Sequence, residues 1–395
     1  MRIKQYLGIV ATALSVTVVQ AETEGSSAEV NWLIETGVGY ESNAYHAPDH
    51  SYVDWAADPT GATTVTPDEQ AGAFVPLKIE GEMKNRIDAT SAMIASYRFK
   101  GAFYPDKALS DAGYSDHKFK LGLDSEAGKK ANSYVGVVLQ KKNKVYVDRD
   151  SGDPKVSTGG GDVSNRYSYM SVGVEGDYER KLSAANSVGI KGEYTNRNYD
   201  DPVAWSQYDH TSMKLGTYWE HRITKGMKFN LGINSEVERY TERRAYSADG
   251  SLPGTNPTLR YNFFGIEAGL RHRFSPATVA YVDYEMLQRR DNHVGYNDMD
   301  QGTIKVRLIH DINDQLRLRA KARSYTRDYA NALNFEDPAQ GAKSASGSSL
   351  QLRGEYLYSD KLEYYLEGEG SRIKNSDDRY QYNNNVFLVG AAWRF

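Results

Sequence analysis

Basic side chains recur at every second position in one segment near the C-terminus. They are Arg317, Arg319, Lys321, Arg323 and, after Tyr325, Arg327. Alternate residues of a β-strand point to the same face, so an extended segment would arrange these cations as a column. Such a column attracts anionic groups and could pass an anionic solute from one cation to the next. Three more basic residues keep the same phase on the neighbouring segments: Lys305, Arg307 and Arg353.

An acidic column follows the basic one along the chain. Its members are Glu355, Glu363, Glu367 and Glu369. Neighbouring Arg and Glu columns can pair and stiffen a wall, although each solvent-exposed pair contributes only about 0–1 kcal/mol. The sequence therefore leaves two roles open for the basic residues: binding of an anionic solute, or pairing with acids in the wall.

Catalysis would need a base that is oriented by a carboxylate and lies beside a nucleophile. Adjacent residues on a strand point to opposite faces, so adjacent His and Asp side chains would not meet. No nucleophile has a recognisable surround, and the sequence predicts a non-enzymatic protein with no catalytic residue and no cofactor. The combinations weighed are Asp209 with His210, Asp291 with His293, and His310 with Asp311.

A possible metal site lies in one polar segment near the N-terminus. His46 and His50 accompany Asp49 and Asp54 there. The spacing of the two histidines fits one helical turn, but the segment has no helical pattern, and further ligand geometry is lacking. We interpret these residues as surface polarity and expect no metal.

Period-2 alternation of apolar and polar residues dominates the rest of the chain. Alternating segments of about ten residues or more are long enough to cross a bilayer as tilted strands. The pattern predicts an all-β fold, a transmembrane antiparallel up-and-down β-barrel of about 16 strands, with 14 or 18 as alternatives. The sixteen segments span 31–42, 73–84, 89–104, 115–126, 132–146, 166–178, 186–199, 208–221, 227–240, 258–272, 277–290, 299–311, 315–329, 347–358, 361–372 and 383–395.

The connections between these segments alternate between short and long. Short links such as 85–88 and 312–314 suit periplasmic turns, and long links such as 43–72 and 147–165 suit outer loops. A soluble β-sandwich or propeller would have shorter strands, of about 5–6 residues. The two long links are rich in aspartate and could fold into a lumen, although loops normally run over the surface.

The N-terminal residues resemble a secretory signal. A basic start, an apolar stretch and Val19-Gln20-Ala21 predict a cleaved signal peptide over residues 1–21. Residues 22–395 then form one domain, the barrel. With no cysteine, this exported domain must be held together without disulfides.

Composition excludes one class of partner. Lys and Arg total 48 against 52 Asp and Glu, so no nucleic-acid-binding surface is expected. The mean hydropathy of −0.65 is compatible with a membrane barrel, because the value averages an apolar outer face with a polar inner one.

The last residues, Gly390-Ala391-Ala392-Trp393-Arg394-Phe395, resemble the C-terminal signal of Gram-negative outer-membrane barrels. Gly390, Trp393 and Phe395 carry the likeness. It implies an outer-membrane location and recognition by the barrel assembly machinery, with membrane lipid and lipopolysaccharide as surroundings. Leu388 stands where that family usually has a polar residue.

The opening segment, residues 37–45, resembles the first strand of porin families that accompany exopolysaccharide secretion. General trimeric porins are similar in size and strand number. A sixteen-strand barrel is too wide for side chains to fill, so an aqueous lumen is expected. The resemblance implies a porin-like channel for hydrophilic solutes, among them anionic saccharides, by diffusion or export. The alternative is an adhesin, receptor or envelope scaffold that acts through its outer loops; direction of transport and oligomeric state, monomer or trimer, stay open.

Overall fold

Sixteen strands form one closed antiparallel barrel. The structure is a computed structural model, and it describes residues 28–53, 60–61, 63–126, 128–156, 161–200, 208–333 and 341–395. The predicted all-β fold and the count of sixteen strands are confirmed. The predicted signal peptide, residues 1–21, lies outside the described residues.

The strands match the alternating segments within a few residues. Segments 186–199 and 299–311 agree at both ends, and the largest difference is the earlier start of the strand predicted at 347–358. The strands are β1 (Glu29–Glu41), β2 (Tyr52–Val53), β3 (Thr64–Val65), β4 (Gly72–Arg86), β5 (Ser91–Phe103), β6 (Tyr114–Glu126), β7 (Ala131–Lys144), β8 (Tyr169–Lys181), β9 (Asn186–Tyr199), β10 (His210–Arg222), β11 (Met227–Arg244), β12 (Thr258–Ser275), β13 (Thr278–Asp291), β14 (Met299–Asp311), β15 (Leu316–Leu333), β16 (Ala342–Leu357), β17 (Leu362–Asn375) and β18 (Tyr382–Arg394).

The barrel closes between its first and last strands. β1 pairs with β4 on one side and with β18 on the other, and all other neighbours are consecutive in sequence, apart from the separate β2–β3 hairpin. The backbone N–H of Phe395 extends this seam by donating to the carbonyl of Trp32 (3.0 Å). Closure leaves no unpaired strand edge, which is the condition for a sheet to cross a membrane.

Connections of two kinds define two ends of the barrel. The end with connections of two to four residues, together with the C-terminus, is called the turn end; the other is called the loop end. Two of the turns are fixed by the side chain of their second residue: Asp88 accepts from the backbone N–H of Thr90 and Ser91, and Asn313 accepts from the backbone N–H of Gln315 and Leu316. Local side-chain hydrogen bonds of this kind favour tight turns.

The outer face is apolar, as the alternation predicts. Val38, Val174 and Leu215 are among its half-exposed residues. Aromatic side chains concentrate near the turn end, where membrane barrels carry a girdle at the interface; they include Phe274, Tyr358, Trp393 and Phe395. Among the described residues, no helix has the length and apolarity needed to span a bilayer.

The long connections pack into a layer at the loop end. Tyr45, Tyr52 and Leu109 are buried there, although all three lie in connections between barrel strands. Tyr45 donates to the carbonyl of Ala108 (2.6 Å), and Tyr52 donates to Asp150 (2.7 Å). The described part of the layer also holds the β2–β3 hairpin and the short 3-10 turns Lys107–Ala112 and Asp378–Tyr380. Another described 3-10 turn, Gly128–Lys130, lies at the turn end.

Candidate functional site

The predicted basic column lies on the lumen side of the wall. Leu316, Leu318, Ile304 and Val306 are exposed on the outer face, so the alternate positions on β14 and β15 point inward. Register places Lys305 opposite Arg323 and Arg307 opposite Lys321. Arg319 is opposite Arg353 on β16. The eight predicted residues therefore share one wall, from β14 to β16.

The turn-end part of this wall is a closed ion cluster centred on Arg353. Its guanidinium contacts four carboxylates: Glu35 at 2.6 Å, Glu355 at 2.9 Å, Glu363 at 3.1 Å and Glu367 at 3.4 Å. Glu355 and Glu363 are each only 2% exposed. Charges removed from water to this extent require opposite partners, and here they have them.

Two further arginines complete this cluster. Arg319 lies 3.0 Å from the second oxygen of Glu355, and Arg394 lies 2.9 Å from Glu363. These contacts join β15, β16, β17, β18 and, through Glu35, β1. The cluster therefore spans the seam at which the barrel closes. Arg317 is paired separately, with Asp311 at 2.5 Å.

Tight backbone packing lies beside the Arg353 cluster at the seam. Gly37 is opposite Gly390 in the β1–β18 register. A Cβ on Gly390 would lie 2.4 Å from the Tyr365 hydroxyl and 2.5 Å from the Thr36 carbonyl. Tyr365 in turn receives the Arg353 guanidinium on its ring face, 3.7 Å from the centroid. Gly390 thus has a packing role at this position, in addition to its proposed role in assembly.

The middle and loop-end part of the column is open. Lys321 and Arg323 are exposed, and neither forms an ion pair at contact distance with a described residue. Arg323 and Arg327 flank the Tyr325 ring, at 5.5 and 5.8 Å from its centroid. Arg327 donates to Gln301 rather than to an acid (2.9 Å). On β14, Arg307 stacks on Tyr281 (3.9 Å) and Lys305 contacts Glu285 (3.3 Å).

A second basic wall lies on β5, β6 and β7, and sequence reasoning missed it. In the ring of sixteen strands, β6 is eight strands from β14, and β7 is eight from β15, so the two basic walls face each other across the lumen. Arg98 is directly opposite Lys118 in the register. A sequence pattern that could have predicted this wall was present, because its basic residues occur in pairs at spacing two. The wall comprises Arg98, Lys100, Lys118, Lys120, Lys142 and Lys144.

Acidic residues occupy the two sectors between the basic walls. One sector is the seam, with the Arg353 cluster and inward Glu80 and Glu82 on β4. The other runs over β8 to β11. Basic side chains such as Lys191 and Lys214 also point inward in this second sector, so the acids there are mixed with cations. The second acidic sector contains Glu175, Asp177, Glu179, Glu193, Glu236 and Glu238.

Aromatic rings form a chain on the lumen side at the loop end. Arginine side chains cover several of these rings, such as Arg243 on Tyr208 (4.5 Å) and Arg289 on Tyr261 (4.5 Å). Rings and guanidinium groups offer stacking faces together with hydrogen-bond donors. The ring-to-ring distances are 4.8 Å for Tyr146–Tyr167, 5.9 Å for Tyr167–Tyr208, 5.7 Å for Tyr208–Tyr199, 6.1 Å for Tyr199–His210, 5.2 Å for His210–Tyr240 and 5.8 Å for Tyr240–Tyr261.

Comparison with solved structures identifies the fold. The outer membrane channel DcaP of Acinetobacter baumannii is similar, with a TM-score of 0.54 and 10% sequence identity over 94% of this chain and 98% of that chain. This chain has the fold of an outer-membrane β-barrel. Less similar are OmpT, an outer membrane protein of Vibrio cholerae (TM-score 0.49, 11% identity, 95% and 99% covered), and an anion-selective porin from Comamonas acidovorans (TM-score 0.48, 12% identity, 94% and 100% covered). No family model and no curated protein matches the sequence.

The His–Asp combinations of this outer-membrane barrel are held apart. His210 bonds the carbonyl of Tyr208 (2.7 Å), whereas Asp209 accepts from the backbone N–H of Tyr199 (2.6 Å). His310 forms a hydrogen bond with the Thr278 hydroxyl, and Asp311 accepts a hydrogen bond from Arg317. Asp291 caps its loop by accepting from three backbone N–H groups, those of His293, Gly295 and Asn297.

The two histidines of the first loop do not converge on a common point. His46 lies 3.6 Å from Glu41 and stacks on Tyr382. His50 contacts Asp49 at 2.8 Å and Asp378 at 3.6 Å. Within the described ranges, no group of three His, Asp or Glu side chains has a metal-binding arrangement. Asp54 lies outside the described residues.

The acidic loop 147–165 is bonded into the loop layer. Asp148 pairs with Lys155, and the Asp150 carbonyl accepts from the backbone N–H of Asp68 (3.2 Å). Arg149 lies over the ring of Tyr380, 5.0 Å from its centroid, and so reaches the connection before β18. Burial, with the nearby Asp111 carboxylate, raises the pKa of the Tyr45 hydroxyl to about 12, so this residue stays a neutral donor in the layer.

Proposed function

We propose that this protein is an outer-membrane channel for hydrophilic anionic solutes of the saccharide type, which pass by diffusion or export through the charged lumen. The observation that carries the proposal is the pair of basic walls on β5–β7 and β14–β15, eight strands apart. A polyanion on the barrel axis is attracted from both sides, and cationic linings select for anions in pores.

The open cations make this lining usable by a solute. Lys321, Arg323 and Lys118 have no ion-pair partner among the described residues, so a carboxylate can take their donors without displacing a protein acid. An arginine can hold a carboxylate through two parallel hydrogen bonds. The aromatic chain at the loop end adds ring faces on which sugar rings can stack, which favours saccharides over small inorganic anions.

Bilayer recordings test the channel and its charge preference. The purified barrel in a planar bilayer under a KCl gradient should conduct ions. The sign of its reversal potential should show that chloride permeates more readily than potassium. A uronic-acid oligosaccharide should block this current at a lower concentration than a neutral oligosaccharide of equal length. A folded barrel that conducts with cation preference, or equal block by both sugars, would contradict the proposal.

A packed loop layer favours a second candidate, a surface receptor or scaffold. The buried Tyr45 and Tyr52 give the loops a defined shape, which a binding surface needs. The same recordings separate the two functions, because a receptor barrel that is closed by its loops carries no current although it is folded. The channel remains our first candidate, since a closed barrel gives no role to the lumen cations that form no ion pair with a described residue.

A further inference from the structure

Two arginines lie side by side on the outer face of the barrel at its loop end. Arg239 on β11 and Arg260 on β12 are direct cross-strand partners. Both are exposed. Like charges placed directly opposite each other destabilise a sheet unless something offsets them. No described residue does so: neither guanidinium forms an ion pair or hydrogen bond with another described residue, although Arg290, the next outward arginine, is paired with Asp300 at 2.7 Å.

The height of this pair on the barrel indicates what lies against it. The outward apolar positions of β11 run from Phe229 to Val237. Eight residues at about 3.3 Å each cover about 26 Å along the strand, and a tilt of about 40° converts this to about 20 Å of height. Arg239 is two residues further toward the loop end, at the upper edge of an apolar band about 25 Å tall. The pair therefore sits at the level of lipid headgroups, not in the lumen and not in the loop layer.

The neighbouring outward residues show the same change of environment. Thr211 is level with the arginine pair, opposite Arg239. The next positions toward the turn end are Met213, Val237 and Asn262, followed by Phe264, which is 40% exposed. Acyl chains can cover the lower positions, whereas the arginine pair needs an anion.

We propose that Arg239 and Arg260 together bind a phosphate group in the headgroup of an outer-leaflet lipid. Arginine forks match phosphate oxygens in parallel hydrogen bonds, and two forks at adjacent strand positions can grip one phosphate from two sides. Phosphate binding offsets the repulsion within the pair. The site is independent of the lumen, so this proposal does not depend on the channel function.

Lipid binding by purified barrel in neutral detergent tests the proposal. The probe is lipid A that carries two phosphates, and binding is followed by native mass spectrometry. Arg239→Gln with Arg260→Gln should weaken binding at least about tenfold, because charged hydrogen bonds are lost. The charge-matched control is Arg180→Gln with Lys225→Gln, which removes two basic residues near the turn end and should leave the affinity unchanged. Arg239→Lys with Arg260→Lys should retain most of the binding, since the charge remains.

Three results would overturn it: equal affinity of the wild type and the R239Q/R260Q variant, equal binding of lipid A from which both phosphates have been removed, or displacement of lipid A by an equal concentration of inorganic phosphate. The last result would indicate a site for a free anion. Heat-modifiable gel mobility checks that each variant is folded. If the double variant does not fold, each single variant replaces it and should already weaken binding.

Discussion

The two halves of the basic column on β15 differ in what surrounds each cation. Toward the turn end, Arg319 and, beside it, Arg353 contact the buried Glu355. Four residues further along the same face, Arg323 is exposed, and the contact of its guanidinium group within the described residues is an aromatic ring, Tyr325, at 5.5 Å. Arg319 and Arg323 share residue type, strand and face, so the difference between them comes from the residues around them.

The difference teaches that the acids on neighbouring strands decide the role of a lumen cation. Where β16, β17 and β1 supply glutamates, an arginine becomes part of the wall and joins strands across the seam. Where the neighbours supply no acid, as at Arg323 between Lys305 and Ser349, its donors stay available to a solute. The pairing role is therefore present in the turn-end part of the column, and solute binding is the role we propose for the part nearer the loop end.

Arg353→Gln should give the largest effect of the substitutions considered. It removes the shared partner of four carboxylates, two of them buried, and breaking a buried ion pair from one side costs about 3 kcal/mol or more. We expect a lower midpoint of urea unfolding, measured by heat-modifiable mobility on gels, with little change in conductance of the folded fraction.

Two further variants test whether the Arg353 cluster causes this loss. Arg394→Gln removes a half-exposed member with one contact and should cost less than about 1 kcal/mol. Adding Glu367→Gln to Arg353→Gln should recover part of the stability, because Arg353 is the cation that Glu367 contacts among the described residues. An Arg353→Gln barrel as stable as the wild type would show that the cluster does not hold the seam.

Arg323→Gln against Arg319→Gln tests the comparison directly. Loss of Arg323 should raise the half-blocking concentration of a uronic-acid oligosaccharide about tenfold, since one charge-assisted contact is lost, and should leave unfolding unchanged. Loss of Arg319 should instead lower the midpoint of urea unfolding. It should change the half-blocking concentration of the oligosaccharide by about threefold or less. Bilayer recordings and urea titration of both variants give the four values. Equal block in the two variants would remove the distinction between wall and solute contacts.

The fold was predictable to a large extent because period-2 alternation is a local property. Each strand reports its own two faces, so sixteen segments and their alternating connections could be read one by one. The pairing of Arg353 with Glu363 could be predicted in part, because basic and acidic columns on neighbouring strands are expected to form ion pairs. Contact of Arg353 with Glu35 was not, since it joins the two ends of the chain and depends on where the barrel closes.

The second basic wall shows the limit of the same method. Lys118 and Lys120 stand at spacing two in an alternating segment, as Arg317 and Arg319 do. What makes the wall significant is its position opposite β14 and β15, which follows only from the closed ring of sixteen strands. The buried loop residue Tyr45 had no local signal at all, because its partners come from two other loops.

Lys118→Gln against Lys120→Gln extends the comparison to that second wall, with a smaller expected effect. Lys120 pairs with Glu175, whereas Lys118 forms no ion pair at contact distance with a described residue. Lys118→Gln should therefore raise the half-blocking concentration of the uronic-acid oligosaccharide about threefold, and Lys120→Gln should change it less, because a flexible ammonium group contributes a single point contact. Block that is insensitive to Lys118 would restrict solute contact to the β14–β15 wall.

The loop layer offers the smallest effect, a pH dependence through His50. The hydrogen bond with Asp49 raises the pKa of His50, and the Asp378 carboxylate acts in the same direction. A raised pKa means that the charged contact is fully present below the ordinary histidine pKa of about 6.5 and is lost as the pH rises through the higher value in the folded protein. Hydrogen exchange of residues 42–53 and 376–381 should therefore be slower at about pH 5.5 than at about pH 8, after correction for the intrinsic rate. His50→Gln should remove this difference without changing conductance, because the contact lies between two loops and not in the basic walls. If His50→Gln retained the full pH dependence, another group would have to hold these loops together.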